Sequence, residues 1–325
     1  ISIQTGTIIA AIFIIAYTML AGLVSVAYTD VANGIIIIFS FVIAIPIFLA
    51  QAGGFSGMAA SFEAMGKPEH MNFFGVYSTM DIINFCLPPF LLIMGDANMY
   101  QRFFASKTAE GAKSATKVLI FAVLLAELMI IFSAWVASSM IPDAEVGKYV
   151  LIYAAHKLLP TFLGAIMMTT IVGIIISTAD SFLLVPATTL MRDVYLNYIN
   201  PNADEKKIVL LSRLLVLGLG IIAYIVSLGF AKSAGFFERA LYAYTIYGAA
   251  ITPSLVAALF WKGATKEGAV ASIITGTVTT LLWKEAAFIQ TIIPQNIYNN
   301  MDEVLPAITL SVVSLVVVSL LTKKN

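Results

Sequence analysis

Long apolar runs dominate this sequence and decide what it can fold into. A helix crosses a bilayer core of about 30 Å with about 20 apolar residues, and nine runs of roughly that length are bounded here by charges, glycine or proline. These runs predict an all-α, polytopic integral membrane protein with nine transmembrane helices. The predicted spans are 7–27, 31–50, 72–95, 115–140, 161–191, 207–230, 238–261, 266–283 and 305–322.

Composition excludes several other classes of protein. Hydrophobic residues fill 60% of the 325 positions and charged residues only 11%, with a mean hydropathy of +0.95. One soluble core cannot bury that much apolar surface. The formal net charge is zero, so no basic surface is available to attract nucleic acid. The single cysteine, Cys86, excludes an internal disulfide framework.

The distribution of Lys and Arg tests these spans and gives their orientation. Cytoplasmic loops are enriched in positive charge, and when the 18 basic residues are sorted by alternate loops, all but six fall on one side. We therefore expect a plasma (inner) membrane protein with a cytoplasmic C-terminus. The loops after the first, third, fifth and seventh spans should also be cytoplasmic. The six basic residues on the other side are Lys67, Lys148, Lys157, Lys232, Arg239 and Lys284.

The longer extracytoplasmic connections lie near 51–71, 141–160 and 284–304 and contain Pro, Gly and acidic residues. We expect short interfacial helices in them, and none is long enough for a separate soluble domain. This predicts a single membrane domain over 1–325. The chain opens at Ile1 and enters an apolar segment within a few residues, so we expect that the first helices of the full protein are missing from this sequence.

The fifth span carries a cluster of oxygen-bearing side chains at membrane depth. At about 100° per residue, Ser177, Asp180 and Ser181 share one helical face and Thr178 flanks it. An ionisable group in a span costs at least about 2.5 kcal/mol on insertion scales, and hard cations such as Na⁺ prefer oxygen ligands. The cluster predicts a cation site. The alternative is that the hydroxyls bond back to the carbonyl four residues earlier.

Two further carboxylates lie in or beside the spans. Asp30 begins the second span, and Glu127 lies in the middle of the fourth. Each is a functional candidate because of its cost in lipid. For Glu127 the alternatives are pairing with Lys or Asn on a neighbouring helix, carrying a proton, or lining a water-filled crevice.

The third span is interrupted. Pro88 and Pro89 stand at its centre, and Gly95 with Asp96 stands near its end. Proline removes amide donors and clashes with the preceding turn, so we expect a kinked or discontinuous helix at the proline pair. Broken helices at mid-membrane expose backbone groups to ions and solutes, whereas a kinked packing helix would have no such role.

Four segments resemble the sodium:solute symporter family, which includes the sodium/proline, sodium/galactose and sodium/sialic acid carriers. They are 17–23 (YTMLAGL), 26–30 (VAYTD), 95–103 (GDANMYQRF) and 176–181 (ISTADS). The resemblance covers essentially the whole chain. It implies a LeuT-like fold of two inverted repeats, of which these spans are core helices four to ten followed by two peripheral helices. The first core helix, which supplies opposing carbonyl ligands in the family, is not among them.

The resemblance also implies two cation sites. The hydroxyls of Ser177 and Thr178, with the carbonyl of Ile174, match the ligands of the coupling Na⁺ in the family. Asp30 matches the acidic residue of a second site found in some members, whose other ligands here are Asp180 and Ser181. Members with that second site tend to have hydroxyls at both of the latter positions, so Asp180 is a departure from the pattern.

Solute contacts in relatives come from the residues just before the glycine of the third span. Here these are Phe90, Ile93 and Met94, next to Gly95. Sugar-carrying members have Asn, Tyr and Trp around these positions, so this chain lacks their stacking platform. That difference argues against an ordinary sugar pocket.

The resemblance therefore predicts a sodium-coupled symporter of a small organic solute that works by alternating access. The alternative is a proton-coupled transporter, or a solute sensor of the same fold, in which Asp30, Asp180 and Glu127 titrate. An intramembrane enzyme is disfavoured because no histidine lies within a predicted span. The expected partners are the solute, Na⁺ as coupling ion and the lipid bilayer, without nucleic acid, and we expect a monomer.

Overall fold

The computed structural model describes residues 2–142, 147, 149–230 and 235–323, and it contains helices and loops but no strand over those ranges. This confirms the all-α prediction. Eight helical segments of the described residues are long and apolar enough to cross a membrane. Three basic residues used to orient the spans, Lys148, Lys232 and Lys324, lie outside the described residues.

Thirteen α-helices follow one another along the described chain, with one 3-10 turn at Pro68–Met71 and one π-helix at Leu190–Ile199. They are α1 (Ile3–Gln51), α2 (Gly54–Ala64), α3 (Thr79–Gly95), α4 (Ala97–Phe104), α5 (Ala109–Ser138), α6 (Val150–Lys157), α7 (Thr161–Thr189), α8 (Glu205–Phe230), α9 (Phe236–Phe260), α10 (Lys266–Glu285), α11 (Ala287–Ile292), α12 (Gln295–Tyr298) and α13 (Val304–Thr322).

The helices form two compact units. The first contains residues 1–73 and 101–230, and the second contains residues 74–100 and 231–325. In the first unit, aromatic and aliphatic side chains of α1, α2, α5, α6 and α7 build one buried core. Its fully buried members include Phe41, Phe48, Phe62, Val136 and Met167. A single transport domain over 1–325 stays a prediction.

Helix α1 contains the first sharp break of the chain. Gly22 has φ 68° and ψ 173°, a conformation that a side chain makes costly. The bend is tight enough for the Tyr17 hydroxyl to donate to Thr29 Oγ1, twelve positions on, at 2.8 Å. Our sequence-based boundary between the first two spans, at 28–30, was therefore wrong. The boundary follows the glycine rather than the polar Thr29-Asp30 pair, and the spans are Gln4–Gly22 and Ser25–Gln51.

Helix α3 corrects the predicted start of the third span and the predicted position of its discontinuity, whereas its end at Gly95 agrees with the predicted bound. The helix begins after Ser78, whose hydroxyl accepts from the Asp81 amide while the Asp81 carboxylate accepts from the Ser78 amide. This capping box, and not the apolar run starting at 72, sets the N-terminus. The helix then runs through Pro88 and Pro89 and ends at Gly95. The discontinuity thus falls at Asp96, seven positions beyond the proline pair.

The second unit is held together by small residues that let helix backbones approach closely. Ser272 and Ser311 join α10 to α13 through a buried hydroxyl contact of 2.8 Å. A Cβ on Gly276 of α10 would lie 2.5 Å from the Ala249 carbonyl oxygen of α9. Helix α10 covers the predicted span 266–283 but is not among the eight helices that qualify as spans. The count of nine transmembrane helices therefore stays a prediction.

Short helices occupy the three longer connections, as we predicted: α2, α6, and α11 with α12. The last connection is fixed to its own unit by side-chain contacts. Asn84 of α3 donates to the Asn300 carbonyl oxygen at 3.2 Å, and Trp283 Nε1 donates to the Met301 carbonyl oxygen at 3.2 Å. Glu303 is buried beside Lys284, with Nζ and Oε2 3.9 Å apart.

Gly276→Ala should destabilise the second unit by about 1–3 kcal/mol, because the new methyl group meets a backbone oxygen that cannot rotate away. Thermal unfolding of the purified protein in detergent measures the effect. Gly218→Ala in α8 is the matched control, since a Cβ there has nothing within 4 Å, and it should be neutral or slightly stabilising. Equal unfolding temperatures for the two variants would contradict the close packing of α9 on α10.

Glu303→Gln should flatten the dependence of stability on pH. Burial raises the pKa of the Glu303 carboxyl, opposed by a backbone hydrogen bond and by Lys284. The folded protein therefore binds this proton more tightly than the unfolded chain does. The resulting stabilisation is present at low pH and is lost as pH rises from the ordinary glutamate value of about 4.3 through the raised pKa.

The unfolding temperature of the wild type, followed upward from about pH 4, should thus fall more steeply than that of the variant. Glu267→Gln is the control because Glu267 is exposed beside Lys266, and its slope should match the wild type. A wild-type slope no steeper than that of Glu303→Gln would rule out this carboxyl as a source of the pH dependence.

Candidate functional site

Helix α7 carries the predicted oxygen-lined face, and three of its side chains point into the first unit. Asp180 is 1% exposed, Ser181 is 7% exposed and Ser177 is half-buried. Their spacing of three and four positions places them on one side of the helix. Thr178, one position round the helix, is exposed. The structure therefore brings together the residues that the sequence placed on one face.

The second half of α1 runs antiparallel to α7 along a line of polar contacts. Ser40 and Thr170 share a buried hydroxyl contact of 2.8 Å. Further along, Asn33 Nδ2 donates to the Gly173 carbonyl oxygen at 3.4 Å. The line ends where the Ser177 hydroxyl donates to Asp30 Oδ1. Asp30 therefore lies against the oxygen-lined face of α7, and its role in a second cation site stays a prediction.

Arg102 of α4 completes this group. Its Nη2 lies 2.7 Å from Asp30 Oδ2 and 3.0 Å from Ser181 Oγ. Hydrogen bonds between a guanidinium and a carboxylate are charge-assisted and strong for their kind. The neighbouring Gln101 donates from Nε2 to Thr188 Oγ1 at 2.9 Å, which ties this end of α4 to α7.

Sequence reasoning missed Arg102 because we counted it only as a positive charge in a cytoplasmic loop. Two signals could have found it. It lies in the 95–103 motif, and it is the only basic residue in α4, a strongly amphipathic helix that follows the broken span. Its partner Asp30 is 72 positions away in the chain, so no local pattern could have joined them.

Thr18 is the second residue that the sequence did not single out. It comes from the first half of α1, is 1% exposed, and its hydroxyl donates to Asp180 Oδ1. The Ile14 carbonyl oxygen lies 2.8 Å from the same hydroxyl. The break at Gly22 makes this possible, since it lets both halves of α1 contact α7. A buried carboxyl needs such a donor because an unsatisfied one is costly.

The three predicted ligands of the coupling ion lie on one turn of α7. Thr178 Oγ1 donates to the Ile174 carbonyl oxygen at 2.9 Å, which is the local bond that we weighed as the structural alternative. Ser177 does not follow that alternative, because its hydroxyl donates to Asp30. A hydroxyl that donates to a carbonyl keeps its lone pairs, so Thr178 still has lone pairs to offer a cation. The role of these three residues as sodium ligands stays a prediction.

The predicted solute residues belong to the second unit, at the end of α3. Phe90 and Ile93 are 59% and 57% exposed, and Met94 is also exposed. Gly95 is buried because α9 approaches it so closely that a Cβ would lie 2.4 Å from Thr252 Oγ1. These positions present an apolar surface beside the end of a helix.

Side chains form hydrogen bonds with the backbone groups at the break between α3 and α4. The Thr252 hydroxyl donates to the Leu91 carbonyl oxygen at 2.6 Å, and the Tyr100 hydroxyl donates to the Met94 carbonyl oxygen at 3.2 Å. Asp96 Oδ1 accepts from the Asn98 amide at 3.0 Å, so this carboxylate caps the start of α4. Capping of this kind replaces hydrogen bonds that a helix end lacks.

Glu127 stands apart from these groups. It lies on an exposed side of α5, and within the described ranges no hydrogen-bond or ion-pair partner is recorded for it. The predicted pairing with a Lys or Asn side chain is thus absent from that part of the chain.

The model of one protein family, described as the sodium:solute symporter family, matches residues 1–276. Among curated relatives, the osmoregulated proline transporter OpuE of Bacillus subtilis is 25% identical over 99% of this chain and 64% of its own length. The high-affinity proline transporter PutP of the same organism is 27% identical, over 98% of this chain and 66% of its own. The sodium/proline symporter of Staphylococcus aureus is 26% identical, over 98% of this chain and 62% of its own length.

The solved structure of a Na⁺-coupled sialic acid symporter in a substrate-bound, outward-open state superimposes with a TM-score of 0.74. The superposition covers 99% of this chain and 67% of the sialic acid symporter chain. Because the sequence identity is only 16%, the likeness shows the fold alone. The chain spans less than two thirds of the length of each of these curated relatives.

The fold comparison confirms the predicted LeuT-like architecture. Because the family model covers most of the sequence, the chain belongs to the sodium:solute symporter family.

Proposed function

We propose that the complete protein is a sodium-coupled symporter that carries a small organic solute by alternating access. The observation that carries this proposal is the oxygen-lined face of α7, where Ser177, Thr178, Asp180 and Ser181 lie within two turns of a membrane-length helix. Such a face, rich in oxygen and lacking imidazole, suits an alkali ion. Membership of a symporter family supports the same reading.

The coupling ion binds the Ile174 carbonyl oxygen and the hydroxyls of Ser177 and Thr178. Binding there stabilises the outward-open state, so the ion shifts a conformational equilibrium by its differential affinity for the two states. The membrane potential adds driving force, because moving one positive charge inward is worth about 2.3 kcal/mol per 100 mV.

The solute binds at the break after α3, next to Phe90, Ile93 and Met94. These side chains offer apolar contact rather than a stacking platform for a sugar ring. The related proline transporters and sodium/proline symporters suggest an amino acid as the first solute to test. Fold alone does not fix the cargo, so a thermal-shift screen of metabolites in sodium buffer should accompany that test.

The protein lies in the plasma membrane with its C-terminus in the cytoplasm and acts as a monomer without enzymatic activity. The excess of Lys and Arg in alternate loops supports this orientation. Labelling of cysteines placed at Lys67 or Lys107, in a protein whose own Cys86 is replaced by alanine, with a membrane-impermeant reagent checks it. Only the first position should react from outside.

Uptake by the complete protein in proteoliposomes tests the function directly. An inward Na⁺ gradient should accelerate the uptake of radiolabelled proline, or of the best solute from the screen, and a K⁺ gradient of the same size should not. The control is the same vesicle preparation without protein. Uptake that depends on a pH gradient and not on Na⁺ would instead favour the proton-coupled alternative. The two carboxylates Asp30 and Asp180 are the reason to test that alternative.

Thr178→Val and Thr18→Val separate the sodium role from a structural one. Thr178 is exposed, and among the described residues its hydroxyl bonds only within its own helix. The first variant should therefore stay within about 0.5 kcal/mol of wild-type stability. Losing a sodium ligand should still raise the half-saturating Na⁺ concentration at least about tenfold, the equivalent of 1.4 kcal/mol.

Thr18→Val removes the donor to buried Asp180 and should cost about 1–3 kcal/mol of stability. Thermal unfolding and Na⁺-dependent uptake are measured on both variants. A Thr178→Val protein with wild-type Na⁺ dependence would remove Thr178 from the ligand set.

A further inference from the structure

We propose that the guanidinium of Arg102 occupies the second cation position as a permanent internal cation, so that the protein binds a single Na⁺. This inference rests on the proposed function and sets the ion stoichiometry of that same transport cycle. It departs from what the family resemblance implies for Asp30, Asp180 and Ser181. The geometry of the first unit points to it.

A single nitrogen atom lies between two of the three predicted ligands. Arg102 Nη2 is 2.7 Å from Asp30 Oδ2 and 3.0 Å from Ser181 Oγ. Those are the distances of direct hydrogen bonds, so no space for an ion separates the nitrogen from either oxygen. A sodium ion that used both oxygens would have to displace the guanidinium.

Two further carboxylate oxygens of the site also have donors. Asp30 Oδ1 accepts from the Ser177 hydroxyl, and Asp180 Oδ1 accepts from the Thr18 hydroxyl. All three predicted ligands of the second site are therefore engaged by groups of the protein itself. The residues present do not fit a second sodium ion at this position.

Charge leads to the same conclusion. A guanidinium stays protonated at any physiological pH, so its positive charge is permanent. The Arg102 and Asp30 side chains are 31% and 23% exposed, and partial burial within a membrane-length bundle weakens screening. A second cation would be repelled by Arg102 and would compete with it for Asp30.

The position of Arg102 is built into the fold. Gln101 holds the adjacent turn of α4 to α7 through Thr188, at 2.9 Å. Arginine and lysine differ here, because the planar guanidinium reaches the carboxylate and the hydroxyl from one nitrogen whereas an ammonium is a compact, hydrated charge.

Counting bound sodium tests the proposal without knowledge of the solute. Binding of ²²Na⁺ alone to the purified complete protein in nanodiscs should saturate at one ion per protein, with a Hill coefficient of one. Arg102→Gln frees Asp30 and Ser181 and should raise the count to two ions per protein. Combining Asp30→Asn with Arg102→Gln should return it to one, because the second site then lacks its carboxylate.

Arg213→Gln is the matched control. It removes one positive charge from the first unit at an exposed position of α8, so its count should stay at one. If added negative potential alone recruited sodium, this control would rise together with Arg102→Gln, and the proposal would be overturned.

The wild-type count decides the proposal even if a variant fails to fold. Two ions per wild-type protein would overturn the internal-cation role of Arg102 and leave sodium symport standing. No sodium binding at all would overturn the proposed function itself, and this inference with it. One ion per wild-type protein together with one in a folded Arg102→Gln protein would show that Arg102 does not exclude the second ion.

Discussion

The cost of an unsatisfied polar group in hydrocarbon is the constraint on which this structure depends. Lipid offers no hydrogen bonds, so each polar side chain in a span must find a partner within the protein. The first unit meets this demand with a line of contacts between α1 and α7 that ends in Asp30, Ser177 and Arg102. The carboxylates Asp30 and Asp180 are thereby brought to one side of α7, whereas Glu127 stands apart on α5. The concentration of oxygen atoms on α7 is what can replace the hydration shell of a sodium ion.

Each unit contains a helix break, and in each unit side chains near the break form hydrogen bonds that the break makes possible or necessary. In the first unit, the break at Gly22 lets both halves of α1 form side-chain hydrogen bonds with α7. Thr18 of the first half bonds to Asp180, and Asp30 of the second half bonds to Ser177. In the second unit, the end of α3 is closed by Thr252 and Tyr100. Hydroxyl side chains supply hydrogen bonds that the irregular backbone at the end of α3 would otherwise lack.

Arginine in an oxygen-lined site changes what the site can do. A carboxylate that is free attracts alkali ions, whereas a carboxylate paired to a guanidinium at 2.7 Å has its charge compensated. Asp30 belongs to the second kind. The proposed coupling site on Ile174, Ser177 and Thr178 is chemically different because its oxygens are neutral, so an ion bound there would bring the charge. This contrast separates a binding position for a mobile ion from one where the protein supplies the cation.

The sequence by itself determined the membrane class, the positions of most spans, the face shared by Ser177, Asp180 and Ser181, and the family. All of these follow from periodicity, composition or local motifs, which are properties of neighbouring residues. Only the tertiary structure decided that the first break falls at Gly22, that the discontinuity after α3 falls at Asp96 rather than at the proline pair, and that Arg102 and Thr18 join the site. Those outcomes depend on contacts such as Arg102 with Asp30 and Thr18 with Asp180, 72 and 162 positions apart. Spacing along one helix carries no information about which distant side chain will supply its partner.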